Sequence, residues 1–257
     1  MRKLMFLVVF SIIGAGQMKA DPACTPNTVA FYEATYTSQA NACSIAGLDF
    51  YNFNSGDFGV AGNSGPGTAP FTAASIDITP VNGPGGVGFL ITPASTLQAT
   101  QTGVRDIEIP FQVACDNGTA CLTSIFMSIS GSATASNVSG GTAGEGFLTE
   151  SYCPGSVVPP CSGGNGTQDI ILRINPSSPG TVSQADTFSG VSGLSLDKDI
   201  GAIGNNGSAT VTSVEDLFSV PPVPTSVPTP EPSTLLLLGG GLAGLALLSK
   251  RKSHSLV

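Results

Sequence analysis

Tryptophan is absent from the 257 residues, and histidine occurs once, at His254. Without a histidine in the body of the chain, Ser-His-Asp and Cys-His catalysis and histidine-ligated metal sites cannot be built there. Without tryptophan, the tool expected for stacking a sugar ring is missing. Tyr32 and Tyr36 are the remaining candidates, if Val29 to Thr37 is a strand that shows both on one face; a place in the core is the plainer reading. Charge is scarce too, at 10% of residues, and its basic share sits at the ends: Arg2, Lys3 and Lys19, then Lys250, Arg251 and Lys252. Only Arg105, Arg173 and Lys198 lie between. Trimmed past Asp21 and before Glu231, the body holds 15 carboxylates against 3 basic groups, a net charge near −12. So acidic a domain repels phosphate, which excludes nucleic acid and anionic lipid as partners and leaves divalent cations and neutral polymers.

Long hydrophobic runs are confined to the two ends. Met1-Arg2-Lys3 followed by 13 apolar or small residues, Leu4 to Gly16, has the layout of a signal peptide over residues 1–20, read by the Sec machinery and cut after Gly16 or Ala20. The run is too short for a comfortable permanent span.

Between the ends, residues 21–220 are rich in Gly, Pro, Ser, Thr, Val and Ile, a composition of short strands and tight turns. In Asp106 to Val113, Ile107, Ile109, Phe111 and Val113 share one face while Asp106, Glu108 and Gln112 share the other. Pro110 predicts an edge or a bulge there. The same alternation recurs around Asp77, in Ile125–Ile129, Ile170–Ile174 and Leu194–Leu196. Further strands are expected over Val29–Thr37, Leu48–Phe53, Val87–Thr92, Gly146–Tyr152 and Ala209–Phe218, about ten in all. Turns are expected at Asn82 to Gly86, Asn117-Gly118 and Asn205-Asn206-Gly207. The expected fold is all-β, an antiparallel β-sandwich of Ig-like or jelly-roll-like type, with a helix at each processed end.

All six cysteines fall in this body: Cys24, Cys43, Cys115, Cys121, Cys153 and Cys161. An even count in an exported chain reads as disulfides, and local spacing favours sequential pairing among the 15 connectivities. Oxidation removes the thiolate nucleophile. Two carboxylate pairs remain, Asp106 with Glu108 and Asp197 with Asp199. Each repeats at i, i+2 on one strand, as a solvated sheet face does, and neighbours on one strand do not flank a cleft as glycoside hydrolysis requires. Asp197-Lys198-Asp199 could donate oxygens to calcium but lacks a known loop spacing. Gly163-Gly164-Asn165-Gly166-Thr167-Gln168-Asp169 is near the calcium nonapeptide, with its Asp displaced by one; a hairpin turn is the simpler reading. Of the sequons at Asn117, Asn137, Asn165 and Asn206, three read as Asn-Gly turns. No catalytic residue, metal or cofactor is expected.

The end of the chain is organised differently. Residues 221–230, Pro-Pro-Val-Pro-Thr-Ser-Val-Pro-Thr-Pro, favour an extended spacer of about 30 Å. Then come Pro230-Glu231-Pro232-Ser233-Thr234, a hydrophobic helix over 235–249, and the basic stop Lys250-Arg251-Lys252. The apolar stretch Leu235–Leu248 is about 21 Å long as a helix, short of a hydrocarbon core of about 30 Å. Gly240 and Gly244, four apart, would let another helix approach within the membrane, and the basic stop fixes the end in the cytoplasm. Motif, helix and basic cluster together resemble the PEP-CTERM sorting signal of Gram-negative bacteria, over residues 230–252. The resemblance implies recognition by an exosortase, a membrane-embedded cysteine transpeptidase, transient insertion in the inner membrane, cleavage near the motif, and delivery to the cell surface or an exopolysaccharide matrix. Stretches such as Thr79 to Phe89 and Gly207 to Val214 resemble uncharacterised PEP-CTERM proteins, which brings no activity with it. The expected function is that of a non-enzymatic surface or matrix protein. The alternatives are a secreted carboxylate-dependent hydrolase and a stably membrane-anchored binding protein.

Overall fold

Alternation of apolar and polar residues becomes strand after strand in the computed structural model, which describes residues 21–53, 72–93, 97–136, 139–155 and 168–219. Fourteen strands are present among them. The first seven are β1 (Asn27–Thr28), β2 (Cys43–Ile45), β3 (Leu48–Tyr51), β4 (Ile76–Gly83), β5 (Gly86–Pro93), β6 (Leu97–Thr100) and β7 (Val104–Glu108). The rest are β8 (Phe111–Cys115), β9 (Leu122–Ala133), β10 (Glu145–Pro154), β11 (Gln168–Ile174), β12 (Gly180–Val191), β13 (Gly193–Ile203) and β14 (Ser208–Ser219).

They form two seven-stranded sheets in which neighbouring strands pair antiparallel. One runs β11-β10-β13-β8-β3-β2, with β7 also on β13; the other runs β1-β4-β5-β14-β9-β12, with β6 also on β14. The layout is the same in both: one long strand, β13 or β14, has a long partner on one side and two short partners end to end on the other. Inner faces meet through rings from both sheets, Phe50 against Phe89 at 4.6 Å and Phe111 against Phe218 at 6.4 Å. Most buried apolar side chains belong to this single core, the arrangement of a β-sandwich.

The expected strand over Asp106–Val113 is β7 and β8 in continuous register along β13, from Arg105 opposite Ala202 to Ala114 opposite Gly193. Ile109 N–H donates to the Lys198 carbonyl at 2.8 Å, so the Pro110 nitrogen faces away from β13, where no ladder bond is lost. Predicted turns form as hairpins. Asn205 and Asn206 both take positive φ and Gly207 N–H donates to the Gly204 carbonyl at 2.7 Å, closing β13 onto β14. Gly83 pairs with Gly86 around Pro84-Gly85.

One expected strand is wrong. Val29–Thr35 is an α-helix, α1, capped by the Thr28 hydroxyl, which accepts from Phe31 N–H at 3.3 Å. Its buried positions, Val29, Tyr32 and Tyr36, follow a helical spacing of three and four rather than two. Tyr32 and Tyr36 therefore stack edge to face in the core, 5.1 Å apart, instead of lining a strand face.

Candidate functional site

On the outer face of the first sheet, strand pairing joins the two carboxylate pairs that lie far apart in sequence. Glu108 sits opposite Asp199, and Asp106 opposite Gly201, one step diagonal from Asp199. Asp106 and Asp199 approach closely enough to share a proton, and each has an Oδ1 that is buried with no donor among its neighbours. Burial, and then the hydrogen bond and charge of Asp106, push the Asp199 carboxyl up to about 7. A proton-sharing pair is closer than the carboxyl separations of about 5 Å or more that glycoside hydrolysis uses.

This pair gives stability a pH dependence. Between about pH 4 and 7 the folded protein holds a proton that the unfolded chain has released, so this group's contribution falls as pH rises through that window and levels off above it. Asp199→Asn should keep the contact with Asp106 and remove the effect. We expect the variant to gain roughly 1–2 kcal/mol over the wild type at pH 8, after allowing for solvent screening, and little at pH 4. Urea denaturation at both values measures this; an equal difference at the two would contradict it.

Beneath this surface lies a second ionisable cluster. Lys198 of β13, Glu150 of β10 and Asp216 of β14 are each fully buried between the sheets. The Lys198 ammonium donates to Glu150 Oε2 and lies 3.1 Å from Asp216 Oδ2 and 3.8 Å from Met127 Sδ. Burial lowers the Lys198 ammonium and raises the Asp216 carboxyl, each partly offset by the other's charge. The sequence reading, occupied with the flanking Asp197 and Asp199, overlooked Lys198 as a site. The signal was parity: Lys198 shares its face with Leu194, Leu196 and Ile200, Glu150 with Leu148 and Tyr152, and Asp216 with Val214 and Phe218. With Lys198 turned into the core, Asp197-Lys198-Asp199 is a strand and not a cation loop. No group of three His, Cys, Asp or Glu among the described residues is arranged to hold a metal ion.

A third feature is an open groove of about 380 Å³ on the outer face of the second sheet, floored by Val81, Phe126 and Leu217, with Glu215 as its one acid and the Pro84 turn as its wall. It is mainly apolar, and its Glu215 and Leu217 flank Asp216 along β14. Asn117 occupies a turn in which its Oδ1 accepts from Thr119 N–H at 3.0 Å and Thr119 Oγ1 at 2.6 Å, with Gly118 at positive φ. Asn206 is in the β13–β14 hairpin, while Asn137 and Asn165 lie outside the described residues. So do Gly163–Thr167; Asp169 stands on β11 and accepts from Ser151 Oγ at 2.7 Å. Disulfides join Cys24 to Cys43 and Cys115 to Cys121. Cys153 is also disulfide-bonded; Cys161 is outside the described residues. Residues 1–20 and 220–257, with the expected signal, spacer, motif and helix 235–249, are outside them as well. No helix among the described residues is long and apolar enough to cross a membrane.

Residues 228–252 match the PEP-CTERM protein-sorting motif, a segment that implies export and sorting by exosortase. No curated protein matches it. Among solved structures, TmCBM61 in complex with β-1,4-galactotriose aligns over 64% of this chain and 90% of that one, at 6% identity and a TM-score of 0.31.

Proposed function

We propose that the protein is a non-enzymatic component of the cell surface or extracellular matrix, released from the inner membrane by exosortase cleavage near Pro230-Glu231-Pro232-Ser233-Thr234. The observation that carries this reading is the sorting motif at residues 228–252. In this account residues 1–20 direct export through the Sec machinery, 21–220 are the delivered sandwich, 221–230 are a spacer, and 230–252 are the handle. Helix 235–249 inserts transiently, Gly240 and Gly244 form its contact face, and Lys250-Arg251-Lys252 hold its end in the cytoplasm. A neutral exopolysaccharide is the polymer most compatible with a body near −12 in charge.

The reading against a carboxylate hydrolase draws support from the proton-sharing distance of Asp106 and Asp199 and their place on an open sheet face. Deleting the exosortase in the native host should move the protein from the released fraction to a membrane fraction that resists carbonate and yields to detergent. Identical carbonate-resistant membrane fractions in both strains would instead favour a permanent anchor.

A further inference from the structure

The cross-sheet cluster of Lys198, Glu150 and Asp216 has the composition and placement of a reacting group, and the sorting function does not use it. A lysine is rare at full burial, and here it is held between two carboxyls with no exposure for any of the three. One ammonium cannot neutralise two carboxylates, so a core that holds all three must keep an added proton or change its chemistry. The two acids are placed differently. Glu150, directly opposite Lys198 in the ladder, accepts a hydrogen bond from the ammonium. Asp216 reaches from the other sheet to 3.1 Å from the same ammonium, an ion pair across the core. The lysine nitrogen is thus held against both carboxyls at once, one from each sheet.

We propose that Lys198 and Asp216 condense into an amide, an internal crosslink between the two sheets, with Glu150 carrying the proton. The neutral Nζ attacks Cγ of the protonated Asp216 carboxyl and an N–C bond forms. Glu150 takes a proton from the nitrogen and returns it to the departing hydroxyl, the C–O bond breaks, and one water leaves. Ammonium and carboxylate together hold the atoms of the amide and that water, so no oxidant or other reactant is consumed, and Glu150 ends as it began. In water this reaction stalls, because the amine stays protonated and the acid ionised. Burial reverses both tendencies, lowering the Lys198 ammonium and raising the Asp216 carboxyl. Held geometry supplies the rest, with effective molarities on the order of 10⁵–10⁸ M for well-oriented groups. Met127 Sδ at 3.8 Å completes the surroundings of Nζ without offering a competing acid or base. Needing no cofactor, the bond can form after export.

The backbone prepares the meeting. Pairing of β14 with β9 shifts register between Val211 and Ser213. Before the shift Ala209 and Val211 face inward; after it Val214, Asp216 and Phe218 do. Without the bulge, Asp216 would point to solvent.

The test is mass spectrometry of the full chain with its disulfides formed. The wild type should weigh one water less than its sequence and disulfides require. After reduction and denaturation, trypsin should fail to cut after Lys198, so peptide 174–198 should be missing, and fragmentation should join Lys198 to Asp216. Asp216→Ala and the near-isosteric Glu150→Gln should each restore the water and release peptide 174–198. Wild-type protein of full mass that yields peptide 174–198 overturns the proposal, whatever the variants do. Fragments that join Lys198 to Glu150 overturn it too, since Asp216 would not be the acyl group.

Discussion

Lys198→Met should cost about 3–5 kcal/mol of folding stability, because it leaves two carboxyls in the core with no cation. Methionine preserves most of the volume, so the loss reports charge rather than a cavity. Burial already raises the Asp216 carboxyl with Lys198 beside it. Without the ammonium, both acids must take up protons to stay inside. Their folded-state values then lie above those of the unfolded chain, and stability falls as pH rises past the ordinary carboxyl range. The deficit should therefore be larger at pH 8 than at pH 5 in urea denaturation. Adding Glu150→Gln and Asp216→Asn should recover part of it at pH 8, since neutral amides carry no charge to desolvate. An amide crosslink in the wild type widens the deficit further. A loss below about 1 kcal/mol at both pH values would contradict this view of the cluster.

Phe89→Ala should be comparably severe, at about 3–5 kcal/mol. Phe89 is buried where α1 meets both sheets, with ring centroids 4.6 Å from Phe50, 5.6 Å from Tyr32, 5.9 Å from Phe53 and 6.1 Å from Phe111. Truncation opens a cavity bounded by rings that are already packed against one another, so collapse is restricted, and several edge-to-face contacts of about 0.5–1.5 kcal/mol each are lost together. Phe31, 37% exposed and in edge-to-face contact with Tyr32 and Tyr36, is the control. Phe31→Ala should cost well under half as much. Equal losses at Phe31 and Phe89 in urea denaturation would remove the central role given to this cluster.

What could be read in the sequence was local. Strand alternation in Asp106–Val113, the Asn205-Asn206 turn and the sorting segment all act within a few residues, and each is written in adjacent side chains. Helix α1 is not legible in the sequence because Tyr32 and Tyr36 fit a strand face as well as a helical turn, and the Thr28 cap decides between them only when the backbone is seen. The proximity of Asp106 to Asp199 depends on β7 lying against β13, a pairing of distant segments that no spacing encodes. The buried cluster falls between these cases. Each charged member stands at an inward position of its own strand, which is legible, whereas their convergence from three strands of two sheets is a property of the fold.

The same division applies to function: the tail states an address and the body states none. The most direct test is the intact mass of the mature protein recovered from exosortase-positive native cells. The account predicts a product that begins after the signal segment and ends near Pro230-Glu231-Pro232, without residues 233–257. A mature product that retains residues 233–257 in those cells would contradict it.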